Sequence, residues 1–336
     1  MKVKMMTERQ YEDRSFYQVA WEWEDAFIEA LEDKADCGLE TVRATKFKPL
    51  QFLYKFIYTK KQPKLLPIKN DLKLYIPLRV WHCNQYLGKR RFIPIFLDCY
   101  AEEIDVIYKM TKRLPFYFVT AWDIYDLIKR RYPDSKVYFS PLSVSDKWRT
   151  DNIPYKDIDV IQIGRRSELL HNYMLKYCEK HPEVNYVYLD SKQSWNYIST
   201  INGNMGKFET RDDFMNMLRH ARISLTSTPG IETGRFGKID FFTPRFFESA
   251  ICYCHMIGHY TENKEAEMLN IASVCDNPKS YEEFEKAVDK YLQETEFSGR
   301  TELETFIDSN VTSRRANQVW KVYRDYLEKK QVGVSR

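Results

Sequence analysis

Thr243-Pro244-Arg245-Phe246-Phe247-Glu248-Ser249-Ala250-Ile251-Cys252 reads as a helix and its start. Threonine suits the N-cap, where its hydroxyl can take a free amide. Proline suits the first helical position, where its missing N–H had no partner. Arg245 and Glu248 lie three apart and so share a face of the first two turns. The apolar strand Ala221–Thr226 precedes this helix, with a glycine-containing loop between. Strand, loop and open helix N-terminus make an anion site, because free amides and the helix dipole both favour a phosphate. Arg245 would add charge there, and Glu248 offers an acceptor for ribose hydroxyls. The competing reading is a capped helix with a surface glutamate.

The rest of the second half repeats the alternation. Ile158–Ile163 is predicted as a strand, Gly164-Arg165-Arg166 as a turn and Ser167–Lys180 as a helix. Further strands are predicted at Val184–Leu189, Ala221–Thr226, His255–His259 and Ala272–Cys275. Helices are predicted at Arg211–His220, Pro244–Cys252, Glu262–Asn270 and Ser280–Leu292, with a long amphipathic one at Thr312–Leu327. In the first half strands are expected at Lys2–Met6 and near Leu72–Ile76, Phe92–Leu97, Phe116–Thr120 and Lys136–Phe139. Helices are expected around Phe16–Leu31 and over Asp123–Arg131. Strands alternating with helical segments imply βαβ units and parallel sheets.

Residues 145–157 are polar with a proline, which marks a domain boundary. The expected organisation is a Rossmann-like domain over 1–150, a second over 151–310, and a C-terminal helix over 311–336. The fold class is α/β: two doubly wound domains with a cleft between them. Ligands of such sheets bind beyond the carboxyl ends of the strands.

Composition agrees. The 336 residues are long enough for two domains, and 43% hydrophobic and 15% aromatic content supplies their cores. A net charge of +4 is too weak to argue for nucleic acid. Seven cysteines at 37, 83, 99, 178, 252, 254 and 275 read as reduced, buried thiols in a cytoplasmic protein. No run approaches the length of a membrane span or a signal peptide core.

With these elements in place, the second half resembles the GT-B glycosyltransferases, in particular the group 1, family 4-like branch. That branch carries a Glu, seven residues, a second Glu, then Ala-x-Ala-Cys-Gly. Glu248-Ser249-Ala250-Ile251-Cys252 matches the second Glu and the residues after it. The resemblance implies that Glu248 holds the ribose of a nucleotide-sugar donor. The first Glu should stand at Asp240, a shorter carboxylate, with Glu232 as its competitor on the loop Thr228–Asp240 over the donor sugar. Tyr253 and His255 replace the family's Gly and Pro, which marks a divergent member. Ile163-Gly164-Arg165-Arg166 is similar to the strand and Gly-Arg turn that opens the family's second domain. There Arg165 or Arg166 would neutralise the departing diphosphate, and no metal is then needed. The amides near Thr243, Pro244 and Arg245 would share that load, with Gly164 at the turn. The final helix would cross back onto the first domain.

The resemblance therefore implies a glycosyltransferase of polysaccharide biosynthesis, metal-independent and without a cofactor. It would move a sugar from a nucleotide-sugar donor to a glycan or lipid-linked acceptor. The alternatives are a nucleotide-sugar epimerase on the same fold and a non-catalytic binding protein. In an inverting enzyme a carboxylate or histidine takes the acceptor proton. Asp98, after the strand Phe92–Leu97, is the first candidate, then Asp123 and His82. Asp98 and Asp123 also read as helix N-caps.

Three further patterns compete for chemistry. Asp157-Ile158-Asp159 opens a strand, so it reads as chance rather than a metal site. Cys252-x-Cys254-His255-x3-His259 has zinc-like spacing but runs from a helix end into a strand, and reads as structural. Residues 46–69 hold seven lysines, no acid, and Phe47, Phe52, Tyr54, Phe56 and Tyr58. Such a stretch suits an anionic membrane surface or a solvated helix. The expected location is cytoplasmic, with a peripheral position at the inner face of the membrane as its extension. No nucleic-acid partner is expected.

Overall fold

The computed structural model describes residues 1–9, 18–41, 64–68, 71–85, 91–190, 195–233, 239–295 and 297–334. The chain forms two compact units. The first is Met1–Ser145, Phe236–Phe241 and Thr312–Arg336; the second is Asp146–Arg235 and Phe242–Val311. The break after Ser145 falls at the start of the polar stretch. The return of 236–241 to the first unit has no counterpart in the sequence patterns.

The first unit carries β1 (Lys2–Thr7), α1 (Gln18–Leu31), β2 (Asp36–Thr41), β3 (Leu72–Tyr75) and β4 (Ile93–Phe96). It continues with α2 (Ile104–Thr111), β5 (Tyr117–Val119), α3 (Trp122–Arg131) and β6 (Val137–Phe139). Its six strands lie in the order β2-β1-β3-β4-β5-β6, and every pair is parallel. Parallel strands with both faces covered need side chains that bury on both sides. All four residues of β4 are buried accordingly.

The second unit carries β7 (Ile158–Gln162), α4 (Glu168–Lys180), β8 (Tyr186–Leu189), β9 (Tyr197–Ser199) and β10 (Gly203–Gly206). Next come α5 (Arg211–His220), β11 (Ala221–Ser227), α6 (Pro229–Thr233), α7 (Pro244–Ile251) and β12 (His255–His259). It ends with α8 (Lys264–Leu269), β13 (Cys275–Asp276), α9 (Tyr281–Gln293) and α10 (Arg300–Asn310). The order is β10-β9-β8-β7-β11-β12-β13, parallel except for the antiparallel β8–β9 and β9–β10 pairs. Val160, Leu170, Met174, Tyr186, Ile223 and Phe284 lie in the core between this sheet and helices α4 and α9.

The last helix, α11 (Thr312–Val334), belongs to the first unit and packs on α1. Its start is tied there by the Thr312 amide on the Val144 carbonyl at 2.9 Å and by Arg315 Nε on the Pro141 carbonyl at 3.0 Å. Tyr326 meets the ring of Phe116 edge-on.

Several elements differ from the sequence expectations. Ala272–Cys275 is not a strand: Ile271–Ser273 is a 3-10 turn, entered from Asn270 in the left-handed region, and only Cys275–Asp276 pairs with β12. Asn270 ends α8 in a conformation that Asn tolerates, which leaves too few residues for a longer strand. The edge strand β2, the β9–β10 hairpin, α2 and α10 are additions to the expected set. Edge strands are short and half-exposed, so their alternation is weak.

Candidate anion site of the second unit

Every parallel strand of the second sheet ends at one edge, and helices that return to the sheet also begin there. The turn after β7 is the first part. Gly164 has φ +72°, which glycine adopts without penalty. A Cβ added at this position would stand 2.5 Å from Arg245 Nη2 and 2.7 Å from its Nε. Only a residue without a side chain lets the Arg245 guanidinium lie against this turn. The Gly164 amide donates to the Tyr197 hydroxyl at 2.9 Å, which fixes the turn against β9. Below it, the His171 ring bonds the Tyr186 hydroxyl at 3.0 Å, and that hydroxyl donates to Gln162 Oε1 at 3.2 Å. Burial holds His171 neutral, pushing its pKa down to about 4.

Arg165 and Arg166 take different paths. Arg166 donates to the carbonyls of Leu189 at 3.3 Å and Asp190 at 3.0 Å, and pairs with Glu168. Its guanidinium staples β8 to the turn. Ser167 caps α4, accepting the Leu170 amide at 3.3 Å.

The start of α7 is the second part. Thr243 occupies the N-cap, but its side chain makes no cap bond. The expected hydroxyl cap is thus corrected: the Phe246 amide goes to the Thr243 backbone carbonyl at 3.2 Å, and Pro244 has no N–H to offer. Thr243 Oγ1 and Arg245 Nε are buried atoms with no hydrogen-bond partner among the described residues. Burial lowers the proton affinity of Arg245, and nearby Glu248 partly opposes this. The helix itself is anchored. Phe246 and Phe247 are fully buried, which contributes roughly 2–3 kcal/mol each. Ser249 Oγ donates to Ser224 Oγ on β11 at 2.7 Å.

Glu248 is not a surface residue. It is 2% exposed, and its Oε1 lies 2.6 Å from Arg211 Nη2, the first residue of α5. Sequence reasoning passed over Arg211. Its signal was present, since Thr210-x-x-Asp213 is a capping box that puts Arg211 at a helix start. Gly164, Arg165, Arg211, Thr243, Pro244, Arg245 and Glu248 thus share one unit, knit by the Arg245–Gly164 and Arg211–Glu248 contacts.

Asp98 and Asp240 lie in the first unit. Asp98 comes after β4, bridges to Arg79 and stands 3.8 Å from its guanidinium. It is not a helix cap; Tyr100 holds that place. Asp240 is buried, and its amide donates to Asp123 Oδ2 at 3.1 Å. Asp123 sits in the first turn of α3, behind the N-cap Ala121, so it is not a cap either. Its pKa is raised, chiefly by burial, with the Asp240 amide opposing. The Glu232 side chain, residues 234–238 and most of the lysine-rich stretch lie outside the described residues.

The zinc-like and Asp-x-Asp patterns are spent on structure. The Cys252 and Cys254 thiols donate to backbone carbonyls of α5 and its end. His255 stacks on Tyr291 and Phe297 and faces Glu294 at 3.0 Å. Asp157 pairs with His220, and Asp159 accepts the Asn185 amide. Among the described residues no group of three or more acids, cysteines or histidines is placed to hold a metal ion, and no helix is long and apolar enough to cross a membrane.

No family model and no curated protein matches the chain. Solved structures do. One is described as trehalose-6-phosphate from E. coli bound with UDP-2-fluoro glucose; the match has a TM-score of 0.54 at 8% identity and covers 96% of this chain and 99% of that one. The fold is GT-B. A putative UDP-N-acetylglucosamine 2-epimerase from Listeria monocytogenes matches with a TM-score of 0.50 at 9% identity, over 98% and 97% of the two chains. A GtfA/B complex matches over 82% of this chain, at TM-score 0.46 and 9% identity, and the chain spans 60% of that partner's length. The matched structures are mostly glycosyltransferases, with the epimerase among them. At such identities the likeness establishes the fold, and the chemistry must come from the residues.

Proposed function

We propose that the second unit binds a nucleotide-sugar through its diphosphate and that the protein is a glycosyltransferase. The observation that carries this reading is Arg245. Among the described residues its buried Nε has no partner, it lies against the glycine turn, and the hydroxyl of Thr243 beside it is also without a partner. Buried polar groups are normally satisfied, so such a pair is best explained by a ligand oxygen. The starts of α4 and α7 add the positive ends of their helix dipoles. The E. coli structure named above carries UDP-2-fluoro glucose, which supports a nucleotide-sugar of the same class here.

In the proposed reaction the bond from the anomeric carbon to the diphosphate oxygen breaks, and its electron pair stays on the diphosphate. Arg165, Arg245 and the amides of the turn and of α7 take up that charge, which is electrostatic catalysis without a metal. The acceptor hydroxyl, of a glycan or lipid-linked saccharide, bonds to the anomeric carbon and gives up its proton. Acceptor binding is assigned to the first unit, with Asp98 as proton acceptor. Glu248 takes the donor ribose. A peripheral membrane location would accompany a lipid-linked acceptor.

The epimerase reading is the second, favoured by the Listeria structure. Calorimetry against UDP, GDP, ADP, CMP and TDP sugars, and then turnover with and without acceptor, separates the two. Binding with transfer only in the presence of an acceptor supports the transferase. Donor conversion without an acceptor supports the epimerase, and no binding of any donor removes both.

A further inference from the structure

Arg245 and Glu248 stand one turn apart on α7, the spacing at which opposite charges pair. They do not form the ion pair. Glu248 instead reaches across to α5, to Arg211 at 2.6 Å, with the two side chains only 2% and 11% exposed. Arg211 sits at the first position of its helix, the end where the dipole disfavours a cation. Its guanidinium also lies over the Phe214 ring at 5.1 Å. A buried carboxylate needs a cation. Two arginines flank this one, and the direct pair is with the arginine on the other helix.

We infer that Arg211 is a positioning residue: it holds the Glu248 carboxylate off Arg245 and so leaves Arg245 open to an anionic ligand. This deepens the reading of the diphosphate site and rests on it. Without Arg211, the nearest cation on the carboxylate's own helix is Arg245. Glu248 would swing onto it and occupy the guanidinium that lies against the glycine turn. Arg211 thus acts on the anion through Glu248, without touching it.

Three variants test this, R211M, E248Q and the double R211M/E248Q, with inorganic pyrophosphate as the calorimetric probe. R211M is expected to weaken pyrophosphate binding about tenfold or more, as loss of one member of a buried charge pair does. The double variant, with no carboxylate to swing, is expected to bind as tightly as E248Q alone. A double variant as weak as R211M overturns the inference, because Arg211 would then contact the anion itself. The crystal structure of R211M gives a readout that needs no ligand. The Glu248 carboxylate is expected within about 4 Å of the Arg245 guanidinium, the reach of an ion pair; a carboxylate left in its original place overturns the inference. If wild-type protein binds no pyrophosphate, the diphosphate reading fails, while that structure still decides the role of Arg211. If R211M does not fold, R211K replaces it: retained pyrophosphate affinity supports a counter-ion role, and a tenfold loss overturns it.

Discussion

The two sheets are both built mainly of parallel strands crossed by helices, and they differ in charge near the ends of their strands: arginines gather in the second unit, and buried acids, one of them paired with Arg9, in the first. In the second unit the residues there are Arg165, Arg211 and Arg245, with one carboxylate among them. In the first unit Glu8 comes directly after β1, and its carboxylate accepts the Tyr75 hydroxyl at 2.6 Å. Glu24 is buried close by, 3.0 Å from Arg9 Nε, and a small cavity is lined by both acids, Tyr75, His82 and Trp21. Burial outweighs Arg9 and pushes Glu24 up to about 7. A doubly wound backbone offers a place at the strand ends, and the side chains decide what that place accepts. Under the proposed function one end takes an anion. The other is acidic and sheltered.

The largest expected effect falls on the basic side. Arg245→Gln should weaken nucleoside diphosphate binding on the order of 100-fold, because it removes a desolvated charge from a phosphate contact. Calorimetry reads this, and an unchanged affinity would erase the contrast between the units. The same substitution should leave the melting temperature nearly unchanged, since Arg245 Nε bonds nothing among the described residues.

The next effect sets the units against each other in pH. The folded state holds the Glu24 proton up to about 7, against an ordinary value of 4.5. Stability from this group is full below about pH 4.5 and is lost as pH rises through 7, by at most about 3 kcal/mol. His171 and His255 behave oppositely, with folded values near 4 against 6.5. Their contribution is full above pH 6.5 and is lost as pH falls toward 4. Amide exchange should therefore show the first unit loosening from pH 5 to pH 7, a change that Glu24→Gln abolishes, and the second loosening from pH 6 to pH 4. Parallel trends in both units would contradict the assignment.

Gly164→Ala should cost about 2 kcal/mol, from positive φ alone, before the new methyl meets Arg245. A lowered melting temperature with weaker pyrophosphate binding is expected. Asp98→Asn is the smallest. It lies in the acidic unit, partly exposed beside Arg79, and should leave nucleotide affinity within about twofold. A larger loss would mean that the first unit shares in donor binding.

Much of the fold was legible because buried parallel strands write themselves as apolar runs. Arg211–His220 and His255–His259 match their sequence patterns to the residue. The hairpin β9–β10 does not announce itself, because its Gly203-Asn204-Met205-Gly206 strand has no apolar alternation. At the site, the turn at Gly164 and the helix start at Thr243 were visible as local signals. Their meeting was not, because spacing cannot tell that a glycine is small for the sake of an arginine 81 residues later. Nor could it tell that Glu248 would be buried against a partner on another helix.

A crystal soaked in pyrophosphate, the group common to nucleoside-diphosphate sugars, decides whether this site holds a diphosphate. Phosphate oxygens are expected about 3 Å from the Arg245 guanidinium and from the amides of Arg165 and Arg166, the distance of a hydrogen bond. Pyrophosphate bound elsewhere, with Arg245 Nε still without a hydrogen-bond partner among the described residues, would contradict it.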